Sequence, residues 1–222
     1  MSLKTAEKIL LTARTLFNEQ GESNITASDI ALELDISPGN LYYHFKGKDS
    51  IHLALFAELQ RQLVPLLATP VDDPEMLAEG ESSMERCWLF LTVVLEQMLE
   101  YRYLYHNPPA LMARYPEIDR GFRRLLRLSH ATCLAVAAAL LQQQSEDLPE
   151  RRLLTLSDTL TLNLTYWLSY DALSNADQRP DAVVHRGVLQ LLATVAPYMG
   201  QDERRFYDEC EQLYDRMQRT ND

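Results

Sequence analysis

Apolar residues in this chain recur at helical spacing almost from end to end, and that rhythm constrains the fold more than any other feature. Met84, Cys87, Trp88, Leu91, Val94, Leu95 and Met98 keep an i, i+3, i+4, i+7 pattern without a break, and Ile118, Phe122, Leu125, Leu126, Cys133, Val136 and Leu140 keep another. Each stripe is the buried face of an amphipathic helix. No segment alternates apolar and polar residues as a half-buried strand would. Only seven glycines interrupt 222 residues rich in Leu, Ala, Glu, Gln and Arg. These observations predict an all-α protein with a substantial core, and they make strand-rich enzyme folds a poor fit.

Helix boundaries can be read from caps and breakers. Ile9, Ala13, Leu16 and Phe17 mark a first helix over about residues 3 to 20, stopped at Gly21. Thr26 caps a short second helix from Ala27 to Leu34, with Asp29 in its first turn. Asp35-Ile36 makes a turn, and Ser37-Pro38 then gives the strongest helix start in the chain: a hydroxyl for the orphan amides, and a proline where no N–H is missed. This third helix runs over about 38 to 44, and a longer one over about Lys48 to Ala68. Thr69-Pro70-Val71-Asp72-Asp73-Pro74 stops it. Further on, Asn107-Pro108-Pro109 is expected to close the element that carries Trp88. Long helices follow over roughly Glu150 to Ser174 and Asp181 to Val195, and Phe206, Cys210, Leu213, Tyr214 and Met217 define a last one.

Charge singles out one segment. The chain carries a formal −11, yet Ser37 to Lys48 contains no acid, two lysines, two tyrosines and a phenylalanine. Residues 1 to 50 hold five Lys and Arg against seven Asp and Glu, a formal −2, which leaves −9 for the remainder. Most of the charge that would repel a polyanion therefore lies elsewhere. Two short helices joined by a tight turn and packed under a preceding helix form a helix-turn-helix, whose second helix enters the major groove of DNA.

The residue types in the third helix suit that groove. Pro38 and Gly39 are small and permit close approach, and Asn40 carries both the donor and the acceptor that an adenine edge requires. Tyr42 and Tyr43 can bond phosphates or lie on a thymine methyl, while His44 and Lys48 can bind phosphate, as can the hydroxyl of Thr26 and the amides it caps. Leu41 and Phe45 face the other way, toward Ile9, Phe17 and Ile30. Any one of these tyrosines, or the histidine, would serve equally well as the skirt of a small core. The whole run, acid-free and flanked by lysines, reads better as a DNA-facing surface.

The same residues carry a family resemblance. Thr26, Ile30-Ala31, Ile36-Ser37, Gly39, Leu41-Tyr42, His44-Phe45 and Lys48 resemble the DNA-binding signature of the tetracycline-repressor-like (TetR/AcrR) transcriptional regulators over about residues 5 to 55. The resemblance implies a helix-turn-helix DNA-binding domain over residues 1–48 and a helical effector-binding and dimerisation domain over 49–222. It implies a recognition helix from Pro38 to His44, with Ser37 at its start, and phosphate contacts from Thr26, Tyr42, His44 and Lys48. Glu33-Leu34-Asp35 departs from the small residue and glycine usual before the turn, so Asp35 must adopt the turn conformation or distort it.

The family also implies a homodimer on a double-stranded operator, and selectivity asks for one, because a single short helix reads too few base pairs. By position the interface falls on Leu160, Leu164, Leu168, Val184, Val188, Leu191, Leu192 and Val195. The amphipathic helix after Gly200 could share or cover that surface, and packing within its own chain is the stronger of the two expectations. Aromatic residues with a few polar interruptions suggest a small amphipathic or aromatic effector, held by Trp88, Leu91, Tyr101, Tyr105, Leu126, Ser129, Asn163, Trp167 and Tyr170.

Other classes fare worse. Glycine-rich phosphate loops, Gly-x-Ser-x-Gly elbows and His-Glu-x-x-His are all missing from the sequence. Neither a cofactor nor a metal is expected, since His106, His130 and His185 lack ligand spacing. Cys87, Cys133 and Cys210 are odd in number and far apart, which fits buried thiols in a reduced, cytoplasmic protein. The N-terminus has no apolar secretion core, and no apolar stretch is long enough to span a membrane. Three readings remain: an effector-released dimeric repressor, a helix-turn-helix protein without an effector, and a helical metabolite-binding protein with a vestigial head.

Overall fold

The computed structural model describes residues 4–69, 82–141 and 149–220. The Pro70 to Pro74 stop signal and the side chain of Met217 lie outside the described residues. Every regular element described is helical: α1 (Thr5–Gln20), α2 (Ala27–Glu33), α3 (Pro38–His44), α4 (Lys48–Ala68), α5 (Ser83–Glu100), α6 (Tyr103–His106), α7 (Pro108–Arg114), α8 (Pro116–Leu141), α9 (Glu150–Ser174), α10 (Pro180–Val195) and α11 (Gln201–Thr220), with short 3-10 turns at Glu22–Asn24 and Ala196–Tyr198.

α1, α2 and α3 pack on one another, and α1 packs on α4; their apolar sides meet at Ile9, Ala13, Phe17, Ile30 and Leu41, all fully buried. α4 then runs out of this group into the larger one, where it packs on α5 and α8. There α8 lies along α9 as well as α4, and α10 packs on α5 and α9. α8 is long and apolar enough to cross a membrane by composition alone. Its apolar side, from Ile118 to Leu140, is instead buried in this seam.

The turn between α2 and α3 is closed as a Schellman motif. Ile36 N–H donates to the Ala31 carbonyl and Asp35 N–H to that of Leu32, both at 3.0 Å, and Asp35 takes φ 52°. A left-handed residue there satisfies the last carbonyls of the helix, which is why glycine is the usual occupant. Among the described residues Asp35 is the one non-glycine with positive φ.

One boundary differs from expectation. The helix of Trp88 ends at Glu100, and Asn107-Pro108 does not close it but opens α7, with Asn107 Oδ1 accepting from Ala110 N–H at 3.4 Å. A capping side chain followed by proline is a start signal wherever a helix can follow. α11 packs on α5 and α10 of its own chain. The Tyr214 ring stacks on His185 at 4.9 Å, and Trp88 stands edge-on to both His185 and Phe206. Cys87 and Cys133 are buried and Cys210 is half-buried, and none of the three is in a disulfide.

Candidate nucleic-acid interface and ligand cleft

α3 is held by one anchor and leaves the rest of its surface free. Leu41 is fully buried, while Ser37, Pro38, Gly39, Asn40, Tyr42, Tyr43 and His44 are all exposed. Ser37 Oγ accepts from Asn40 N–H at 3.2 Å, so the cap is made and the Asn40 amide group is left to the outside. Tyr43 is 84% exposed and stands edge-on to His44, with ring centroids 5.1 Å apart. Holding so large a ring in water loses the burial energy an aromatic side chain normally contributes, so an external partner is the natural explanation.

Two of the residues assigned to DNA have other engagements. The Thr26 hydroxyl donates to Asp29 Oδ2 at 2.7 Å and accepts from Asp29 N–H at 3.2 Å in a capping box. The Thr26 hydroxyl and the Thr26 backbone N–H, both donating to Asp29 Oδ2, hold that carboxyl below its usual pKa. Lys48 has a side chain only 19% exposed: it donates to the Glu22 carbonyl, and Nζ lies 3.3 Å from Glu22 Oε2 and over the Phe17 ring. A lysine clamped in this way pins the start of α4 to the end of α1. Lys46, two residues earlier, is exposed.

The clamp belongs to a polar joint between the first helices and those behind. Asn18 Nδ2 donates to the Glu100 carbonyl at 2.8 Å, Asn18 Oδ1 accepts from Tyr103 N–H at 3.1 Å, and Arg14 pairs with Glu100 at 2.9 Å. On the other side, Asp49 accepts from Tyr115 Oη at 2.7 Å and from Arg114 at 3.1 Å. His52 lies at the centre, fully buried and stacked on Phe17 at 4.5 Å, and burial pushes its pKa down to about 4.

The residues expected to hold an effector do not share a cavity. Trp88 packs under α11, Leu91 is core, Tyr101 lies beneath the Arg14 guanidinium, and Asn163 donates to Thr194 Oγ1 at 3.1 Å. Trp167 donates from Nε1 to the Val183 carbonyl at 3.1 Å, over a Gly187 whose missing β-carbon leaves room for the indole, and Tyr170 is exposed. Asn163, Trp167 and Tyr170 line one shallow groove with Gln190. Tyr105, Leu126 and Ser129 come together elsewhere. They line a small void that has Phe122, Leu126 and Thr165 in common with an outer cleft of about 440 Å³ between α7, α8 and α9. The cleft adds Pro108, Met112, Asp119, Arg123 and Tyr166, none of them assigned to an effector from the sequence. Leu126, an exposed leucine between arginines, was the one available signal.

The eight residues assigned to the dimer interface need correction. Leu160, Leu164, Leu168, Val184, Val188, Leu191, Leu192 and Val195 are each at most 6% exposed in the single chain. They fill the core between α5, α8, α9 and α10 and offer no surface to a second copy. The exposed apolar side of the same region is Leu162, Tyr166, Tyr170 and Leu173 on α9, beside Gln190 of α10 across a shallow groove of about 250 Å³.

Comparison with known proteins gives a consistent picture. Residues 9–55 match the model of the bacterial regulatory proteins of the tetR family, and residues 58–207 match the TetR model described as a bacterial transcriptional repressor. Over 46 residues the chain is 46% identical to IcaR, the negative transcriptional regulator of the biofilm operon icaADBC in Staphylococcus aureus (strain Newman), a match covering 21% of this chain and 25% of that protein. The chain thus spans about a quarter of the length of the curated relatives it matches. A solved TetR-family regulator from Marinobacter aquaeolei VT8 is 28% identical and superposes with TM-score 0.79, covering 96% of this chain and 99% of that one. The ketosteroid regulator KstR2 of Mycobacterium tuberculosis shares the fold at 16% identity and TM-score 0.65, over 90% and 98% of the two chains.

Proposed function

Because the chain belongs to the TetR family of bacterial transcriptional regulators, we propose that it is a dimeric, cytoplasmic repressor released from a double-stranded DNA operator by a small amphipathic effector. The observation that carries the reading is α3: an acid-free helix in an acidic chain, buried at Leu41 and bare at Asn40, Tyr42, Tyr43 and His44. Helix N-terminal residues of this kind reach base edges while hydroxyls and basic groups bind phosphate. Residues 1–48 would act as the DNA-binding unit and 49–222 as the effector-binding and dimerisation unit, with α4 joining them.

The cleft between α7, α8 and α9 is the best-supported effector site, and its link to DNA runs through one aromatic pair. Phe122, which lines the cleft, stacks on Phe56 of α4 at 5.3 Å. Gly121 lets Phe56 press so close that a β-carbon there would stand 2.3 Å from its ring. A ligand that displaces Phe122 therefore moves α4, and with it the start of the DNA-binding unit. Release follows if the effector prefers the displaced state, by its differential affinity for the two. The exposed α9 face of Leu162, Tyr166, Tyr170 and Leu173 supports dimerisation through that side.

A gel shift on the promoter region of the protein's own gene tests the reading. Sequence-selective binding that is lost when Asn40 and Tyr43 are both changed to alanine is the expected result. Binding unaltered by that pair of changes would remove α3 from the function.

A further inference from the structure

The outer cleft has a chemical polarity, and it can be read from which hydrogen-bonding capacity is left over at its mouth. We propose that the effector is an amphipathic carboxylate, its apolar body in the cleft and its headgroup on Arg123. This rests on the effector-controlled reading above and assigns the ligand class of that site.

Apolar side chains, chiefly Pro108, Met112, Phe122 and Leu126, form the walls. The one pair of opposite charges among the lining residues is Asp119 and Arg123. Arg123 Nε donates to both oxygens of Asp119, at 3.0 and 3.1 Å. That arrangement occupies one of the five guanidinium N–H donors and engages both acceptor oxygens of the carboxylate. What remains on offer is the pair of Nη groups, on a side chain 64% exposed. Two Nη groups in one plane match the oxygens of a carboxylate, and charge assistance makes such bonds the stronger kind. A cation arriving at the same point would meet donors and positive charge.

The surroundings favour the same sign. Arg120, Arg124 and Arg127 lie on the neighbouring stripe of α8, one turn or less from Arg123. Arg120 lies 3.8 Å from Glu117, while Arg124 and Arg127 are exposed on the same helix. Four arginines against two acids within Pro116 to Ser129 make this stretch locally positive in a chain of formal −11. The distant negative charge is screened over about 10 Å at ordinary ionic strength, so the local arginines set the potential that a headgroup meets.

The inner end sets the shape. The void behind Phe122 holds only about 20 Å³, near the room of a single water, and Tyr105 and Ser129 are among the residues that line it. An apolar tail enters only by turning Phe122 aside, against Phe56. A slim, flexible chain does that more readily than a fused ring system.

The test uses the full-length protein and three probes with a ten-carbon chain, decanoate, decanol and decyltrimethylammonium, titrated by calorimetry at low salt. Decanoate is expected to bind one per chain and about tenfold tighter than the other two, as one charge-assisted contact provides. Arg123→Gln should erase that advantage, and Asp119→Asn, which frees the guanidinium, should enlarge it. Both positions are on the helix surface, and circular dichroism confirms that the variants fold. The proposal is overturned if the cationic probe binds as well as decanoate, if no probe binds, or if Arg123→Gln leaves the decanoate preference intact. Operator binding measured without ligand on the same preparations tests the regulatory reading separately, since no result with the probes bears on it.

Discussion

Arg186 grips Asp171 through two parallel hydrogen bonds, Nε to Oδ1 and Nη2 to Oδ2, each at 2.7 Å, and no part of Asp171 reaches solvent. The same guanidinium donates to the Asp177 carbonyl at 2.7 Å and to Tyr214 Oη at 3.2 Å, so one side chain ties α9, α10 and α11 together. Asn175 and Gln178 supply further donors to the carboxylate. Removing one partner of a buried pair strands the other, so Asp171→Ala should lower the unfolding free energy by about 3–5 kcal/mol. Asp171→Leu combined with Arg186→Leu should lose less than Asp171→Ala alone. Urea titrations in which the double change is the more damaging would contradict this account.

Asp35 occupies the glycine position of the helix-turn-helix turn at φ 52°. A β-carbon in that region of conformational space is held at a cost of about 1 kcal/mol or more, lessened for Asp by local hydrogen bonding. Asp35→Gly should therefore raise stability, by up to about 1 kcal/mol, and Asp35→Val should reduce it sharply. Thermal unfolding of the two variants, followed by helical ellipticity, reads the difference directly, and a destabilised glycine variant would count against the strain.

On DNA the three polar positions around α3 should behave differently. Asn40→Ala should relax preference at particular base pairs, at about 1–3 kcal/mol of discrimination. Lys46→Ala should weaken all sequences alike and reduce the salt slope by about 1. Lys48→Ala should act through folding, because its ammonium is already bound to Glu22. Affinities measured across a salt series separate the three, and a Lys48 variant that flattens the slope as Lys46 does would return Lys48 to the DNA.

How much of this was open to sequence reading depends on the range of the interaction. Ser37-Pro38 starting α3, Asp35 in the turn and the inward stripe of α9 are local, and each stands where its neighbours along the chain put it. The engagement of Lys48 with Glu22 spans 26 positions and is set by how α1 meets α4, which no local pattern encodes. The dimer residues went astray for a related reason. The most regular apolar stripe on a helix is its core face, so Leu160, Leu164 and Leu168 are buried in their own chain, while the outer face reads only as scattered Leu and Tyr among Thr and Ser. Aromatic content misled in the same way, since Trp88 and Trp167 are packing residues.

His52 gives the protein an acid-sensitive joint. Burial is the leading cause of its lowered pKa, with Glu22 acting the other way and Lys48 and Arg114 adding to the depression, while Asp49 opposes it. The folded state holds the ring neutral down to about pH 4, whereas the unfolded chain takes up a proton near the ordinary value of 6.5. Between those values the unfolded state binds more protons, so stability is full above about 6.5 and falls as pH drops toward 4. The slope is at most about 1.4 kcal/mol per pH unit. His52→Phe keeps the stack on Phe17 and should flatten the curve in that window. Equal pH dependence in both proteins would move the origin of any acid sensitivity to other groups.

Leu173 is 89% exposed in the single chain, and Leu162, Tyr166 and Tyr170 continue its face along α9 at intervals of three or four residues. Burying a leucine or aromatic side chain contributes about 1.5–3 kcal/mol, and a two-fold axis counts each residue twice. Four such residues on each side therefore suffice to hold a dimer at cellular concentrations once the entropy of association is met. Tyr166→Glu together with Leu173→Glu places charge on this face without touching the core beneath, so the double variant should keep its helical content. Sedimentation velocity is expected to find the parent chain dimeric and the double variant monomeric, with operator affinity lost in parallel because one half-site cannot hold one head. A double variant that still sediments as a dimer would mean that the partner docks elsewhere, and that the exposed α9 face serves some other contact.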